Sequence, residues 1–154
     1  MLSVIHHIPK ELLDIKSTDL HTIFSGPTLI HLKGKKNPPL LISCLMHGNE
    51  FTGLLALQAL MKKYGESHWP RSVYLFFGNI DAAKANRRHL DGQPDYNRHW
   101  KKGDLPENHM TQEVVRVTTE AGLFATIDIH NNTGRNPHYS IISLDDVRHK
   151  NLAA

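Results

Sequence analysis

Three apolar runs of strand length constrain this chain most: LLISCLM at 40–46, SVYLFFG at 72–78 and LFATIDI at 123–129. A strand with one wet face alternates polar and apolar residues. Runs as continuous as these suit strands covered on both faces. Between the first two lies FTGLLALQALMKKYG, with apolar residues at 54, 55, 57, 60 and 61, the spacing of one helix face. Lys62 and Lys63 in its last turn, followed by Gly65, are helix stop signals. A second helix is predicted over 111–121, between the second run and the third. A further strand fits 27–33 (PTLIHLK), set off from 40–46 by a turn that Gly34, Pro38 and Pro39 punctuate. The spacing also predicts a short helix at 9–16 and a last strand at 139–144. Strands alternating with helices in this way imply an α/β fold in three layers, a mostly parallel (mixed) sheet with helices on both faces. Residues 1–154 read as one domain, with no repeat or linker.

Composition narrows the function classes. The formal net charge is +3, and no Lys/Arg block carries interleaved aromatics, which argues against nucleic-acid binding. No apolar stretch approaches the roughly 18 residues of a membrane span, and the N-terminus lacks the pattern of a secretory signal. The single cysteine, Cys44, lies within an apolar run and reads as a small hydrophobe. It allows no disulfide framework and suits a reducing compartment, so a cytoplasmic location is expected. Oligomeric state is not legible.

In open α/β sheets, ligands bind beyond the carboxyl ends of the strands. His47 follows the run 40–46 and His130 follows the run 123–129, so both should project from one sheet edge. Glu50, three residues after His47 at the start of the helix, can share a face with it. Two imidazoles and a carboxylate suit Zn²⁺, which in catalytic sites keeps its fourth position for water. Bound water then has its pKa lowered to about 7, and the metal polarises a scissile carbonyl. With twelve histidines in the chain, the H-x-x-E spacing alone is within reach of chance; the placement at strand ends is what carries the reading. Glu50 could instead be a first-turn acid favoured by the helix dipole. Asp128, two residues before His130, either stands behind the metal and orients that histidine or is an ordinary strand-end carboxylate.

The polar stretch from Asn79 to Asn108 is long for a connection, and long ordered loops are often functional. It carries Arg87, Arg88, Asn97 and Arg98. The planar guanidinium fork suits carboxylates, so the loop points to a small anionic substrate or to an oxyanion in need of stabilisation.

Together these motifs resemble a known group. HGNE after an apolar strand, then RHLDGQPDYNR, then DIHNNTG are similar, in that order, to the zinc carboxypeptidase clan, and within it to the succinylglutamate desuccinylase/aspartoacylase family. The likeness runs from about residue 27 to 145. It implies one Zn²⁺ per chain held by His47, Glu50 and His130, with Asn97 and Arg98 gripping a substrate carboxylate and Arg88 stabilising the oxyanion. The arginine segment is two residues longer than the family pattern, so Arg87 is the alternative to Arg88. The implied activity is hydrolysis of an amide in a carboxylate-bearing substrate, as in an N-acyl amino acid deacylase or a carboxypeptidase.

The sequence departs from the family at one point. The resemblance implies a glutamate general base some tens of residues beyond the second histidine, and no Glu follows Glu120. From this the chain is expected to be the N-terminal, zinc-binding part of a catalytic domain, inactive alone. The alternative is a non-catalytic metal- or ligand-binding relative that has lost its general base. A third reading, a plain α/β domain with incidental histidines, predicts no stabilisation by zinc.

Overall fold

The computed structural model describes residues 1–132, 134 and 136–154. In chain order its elements are β1 (Ser3–Ile5), β2 (Thr28–Leu32), β3 (Leu40–Cys44), α1 (Thr52–Tyr64), β4 (Val73–Phe77), α2 (Ile80–Lys84), α3 (Pro106–Ala121), β5 (Ala125–Asp128) and α4 (Val147–Ala153). The five strands form one sheet in the order β1-β2-β4-β3-β5. β3 runs parallel to both β4 and β5, β1 runs parallel to β2, and β2 and β4 pair antiparallel. The sheet is therefore mixed and mostly parallel, as expected.

The apolar runs explain why β3 and β4 are central. Side chains alternate between faces along a strand. Ile42 and Cys44 of β3, with Val73, Leu75 and Phe77 of β4, enter one core together with Leu54, Leu57 and Met61 of α1. Leu41, Tyr74 and Phe76 enter a second core with Met110 and Val114 of α3. Two cores on opposite faces make three layers. Gly53 lets α1 lie close on β3, because a Cβ there would come within 2.6 Å of the Cys44 Cβ.

Several local expectations need correction. No strand forms at 139–144; that stretch has no regular structure, and Tyr139, Ile141 and Leu144 are exposed. The segment does not pair with either edge strand of the sheet, β1 or β5. The helix expected at 9–16 is only a 3-10 turn, Lys10–Leu13. α3 begins at Pro106, five residues before the expected start, with proline at the first helical position, where its missing N–H costs nothing. The long loop contains α2 and a 3-10 turn at Tyr96–Arg98. β4 lies between β2 and β3, so the proline-rich turn joins strands that are not neighbours. No described helix is long and apolar enough to cross a membrane.

Candidate metal centre

The carboxyl ends of β3, β4 and β5 lie side by side, and each delivers part of one site. β3 stops at Cys44, short of the expected 46, and the chain then turns sharply through Leu45 at φ 56°. A left-handed leucine costs on the order of 1–3 kcal/mol unless its surroundings hold it. Here the Leu45 side chain is fully buried and its carbonyl accepts a 2.7 Å bond from Asn79 N, just after β4. Gly48 follows, packed so closely on α2 that a Cβ would come within 2.2 Å of the backbone between Ala82 and Ala83. Its N–H donates to the Arg88 carbonyl at 3.1 Å. The glycine of HGNE thus seats the turn that carries His47 and Glu50 against the loop that carries Arg88.

His47 is 3% exposed and Glu50 8%. The two oxygens of Glu50 are shared between the histidines. Oε1 lies 2.8 Å from His47 Nδ1, and Oε2 lies 2.7 Å from His130 Nδ1. Asn131 N also donates to Oε2 at 3.2 Å. The imidazole rings are 5.1 Å apart, and one ligand atom from each of the three residues lies within 4.8 Å of the others. That distance is short enough for one ion to reach all three.

The far nitrogens are equally well held. His47 Nε2 meets Asp95 Oδ1 at 3.0 Å, and His130 Nε2 meets Asp128 Oδ2 at 2.7 Å. Metal-ligating histidines usually give their other N–H to a carboxylate or carbonyl, which fixes the tautomer and the ring orientation. The arrangement is the same on both sides: Nδ1 faces the shared glutamate, and Nε2 faces an outer aspartate. The donor set fits a borderline-soft divalent ion such as zinc, which takes nitrogen and carboxylate oxygen ligands.

Electrostatics follow from this packing. The hydrogen bond to Asp128, supported by the charges of Asp128 and Glu50, outweighs burial and pushes His130 up to about 9. Burial opposes ionisation of Asp95, but the bonds from Arg88 and His47 outweigh it and hold that carboxyl below the usual carboxylate range. Burial, with the charge of Asp128 behind it, pushes the Cys44 thiol far above its ordinary value, so it has no nucleophilic character.

The arginines separate. Arg88 reaches the centre: its guanidinium donates to Asp95 Oδ2 at 3.1 Å and lies 3.5 Å from Glu50 Oε1. Arg87 turns away to Asp91 at 3.0 Å on the exposed side. Asn97 and Arg98 occupy the 3-10 turn that Asp95 caps through the Asn97 N–H. Among the described residues, neither side chain bonds to His47, Glu50 or His130.

Asp95 and Ser43 were missed in the sequence. Asp95 joins His47 to Arg88 from 48 residues along the chain. Ser43 is the one polar residue in the run 40–46, and it donates to Asp128.

A three-layer α/β fold with histidines and a glutamate at adjacent strand ends defines the zinc-carboxypeptidase-like architecture. The family model for the succinylglutamate desuccinylase/aspartoacylase catalytic domain matches residues 36–153, and the chain belongs to that family. Two solved structures are similar. The succinylglutamate desuccinylase of Vibrio parahaemolyticus aligns with a TM-score of 0.59 at 16% identity, over 86% of this chain and 55% of that one. The succinylglutamate desuccinylase of Chromobacterium violaceum aligns at 24% identity with a TM-score of 0.49, over 60% of this chain and 33% of that one. This chain thus spans about half or less of their lengths. No protein of curated function matches it.

Proposed function

We propose that this chain is the zinc-holding part of a zinc-dependent hydrolase that cleaves an amide bond in a carboxylate-bearing substrate, of the N-acyl amino acid deacylase or carboxypeptidase type. The observation that carries the proposal is the shared carboxylate: both histidine Nδ1 atoms converge on Glu50, while both Nε2 atoms are held from behind. Family membership supports the amide-hydrolase class.

His47, Glu50 and His130 would hold the ion. A zinc ion so held supplies Lewis acidity and lowers the pKa of bound water to about 7. The protein's own groups do the rest. Arg88, fixed by Asp95, points a guanidinium at the centre, where it can stabilise a developing oxyanion. Asn97 and Arg98, on the adjoining turn, are suited to grip a substrate carboxylate. Arg88 lies 3.5 Å from Glu50 Oε1 while Arg87 pairs with Asp91 on the exposed side, which supports giving the oxyanion role to Arg88 rather than Arg87.

Among the described residues, three carboxylates adjoin the centre, Glu50, Asp95 and Asp128, and each is engaged with a histidine nitrogen. None is left to take a proton from water. The zinc-loaded chain assayed alone on N-succinyl and N-acetyl amino acids should therefore bind them without turnover. The same engagement favours the second reading, a non-catalytic relative, which turnover by this chain would exclude. Failure to bind zinc would defeat the hydrolase reading and the metal-binding form of the second.

A further inference from the structure

Ser43 has no assigned role, yet its hydroxyl lies one bond away from the metal centre's support. The residue is 1% exposed on β3 and pairs directly with Asp128 in the parallel β3–β5 register. Paired residues point to the same face, here the face that α3 covers. Ser43 Oγ donates to Asp128 Oδ1 at 2.7 Å, against a poorer 3.4 Å approach to the Ile127 carbonyl. Asp128 uses its other oxygen to hold His130 Nε2. The series runs Ser43, Asp128, His130, Glu50.

Resting on the zinc reading above, we propose that Ser43 is a positioning residue, which locks the Asp128 carboxylate so that His130 presents Nδ1, and not Nε2, to the metal. An imidazole that ligates a metal carries one N–H on its other nitrogen, and with Nδ1 on the side of Glu50 that N–H is on Nε2, facing Asp128. Asp128 can enforce that choice only if its own orientation is fixed. It sits on an edge strand with a side chain 29% exposed, and a carboxylate's terminal torsion is broad. The opposite histidine has no such need. Its aspartate, Asp95, is already held by the Asn97 N–H and by Arg88. Ser43 supplies for His130 the anchorage that backbone and arginine supply for His47.

The alternative is that Ser43 is merely a buried hydroxyl finding the nearest acceptor. Zinc affinity separates the two. Ser43 and Asp128 line a cavity of about 310 Å³ between the sheet and α3, bounded also by Leu41, Trp100 and Thr126. That space accommodates the extra methyl of threonine, and water can satisfy Asp128 when the hydroxyl is removed. Zinc affinity of the full chain is measured by competition with a chromophoric chelator, alongside the Co²⁺ absorption spectrum and the melting temperature in excess chelator. Ser43→Ala should bind zinc about tenfold more weakly, with an altered Co²⁺ spectrum and an unchanged metal-free melting temperature. Ser43→Thr should restore both affinity and spectrum. In an Asp128→Asn background, Ser43→Ala should cost nothing further, because the two act in series. If Ser43→Ala does not fold, Ser43→Cys, a near-isostere with a weak donor, should show the same loss. Wild-type affinity in Ser43→Ala or Ser43→Cys, with binding abolished in His130→Ala, overturns this inference and leaves the zinc reading standing. An unmutated chain that binds no zinc overturns the reading beneath it.

Discussion

The two histidines of the centre make similar bonds in unlike surroundings. His47 follows a central strand, its side chain is 4% exposed, and a tightly packed glycine and a strained leucine hold its turn. His130 follows the edge strand β5, its side chain is 30% exposed, and the stretch beyond it carries exposed apolar residues. One half of the site is built into the core, and the other rests on side-chain bonds at the margin of the sheet. The core half should survive perturbations that the marginal half does not.

The largest test of this contrast compares the strands themselves. Phe76 on β4 is fully buried, so Phe76→Ala should cost about 3–5 kcal/mol in denaturant unfolding. Phe124, beside β5, is half exposed and holds mainly the Arg71 guanidinium, 4.1 Å from its ring centroid. Phe124→Ala should cost no more than about 1 kcal/mol. Similar losses at the two positions would break the comparison.

A smaller difference is expected between the histidines in metal-free protein. His47→Ala takes one partner each from Glu50 Oε1 and Asp95 Oδ1 in a largely buried space and should destabilise by about 1–3 kcal/mol. His130→Ala frees Asp128, whose side chain is 29% exposed, and leaves Glu50 Oε2 its bond from Asn131 N, so its effect on unfolding should be under about 1 kcal/mol. A larger loss from His130→Ala would invert the assignment of core and margin.

The smallest effect is a pH dependence confined to the marginal half. His130 is pushed up to about 9 in the folded protein, against about 6.5 unfolded. A raised value means that folding favours the proton. The stabilisation is complete below pH 6.5 and fades as pH rises through 9. The melting temperature in chelator should therefore fall by a few degrees across that range, and His130→Ala should flatten the slope. A slope unchanged in that variant would remove His130 as its source.

What the sequence revealed follows the same division. β3, β4, α1 and the chain-order alternation were legible because continuous apolar runs and a helical period report burial directly. His47 and Glu50 were legible because a turn between buried elements fixes where side chains go. The strand expected at 139–144 was not formed, because a short apolar segment shows what could pair and not whether a partner lies beside it. β1 is three residues long and too short for any pattern to register. Asp95 was hidden by distance: it is 48 residues from the nitrogen it holds, and only the folded loop brings them together. Ser43 was visible as a polar break in an apolar run, but its partner lies across the sheet, 85 residues on.

Everything proposed for this chain depends on His47, Glu50 and His130 holding one divalent ion. Metal analysis of the chain purified without chelator, paired with zinc titration of His130→Ala, tests it most directly. About one equivalent of zinc per chain is expected, and none in the variant. Less than about a tenth of an equivalent in the unmutated chain, or undiminished binding after His130→Ala, would contradict it.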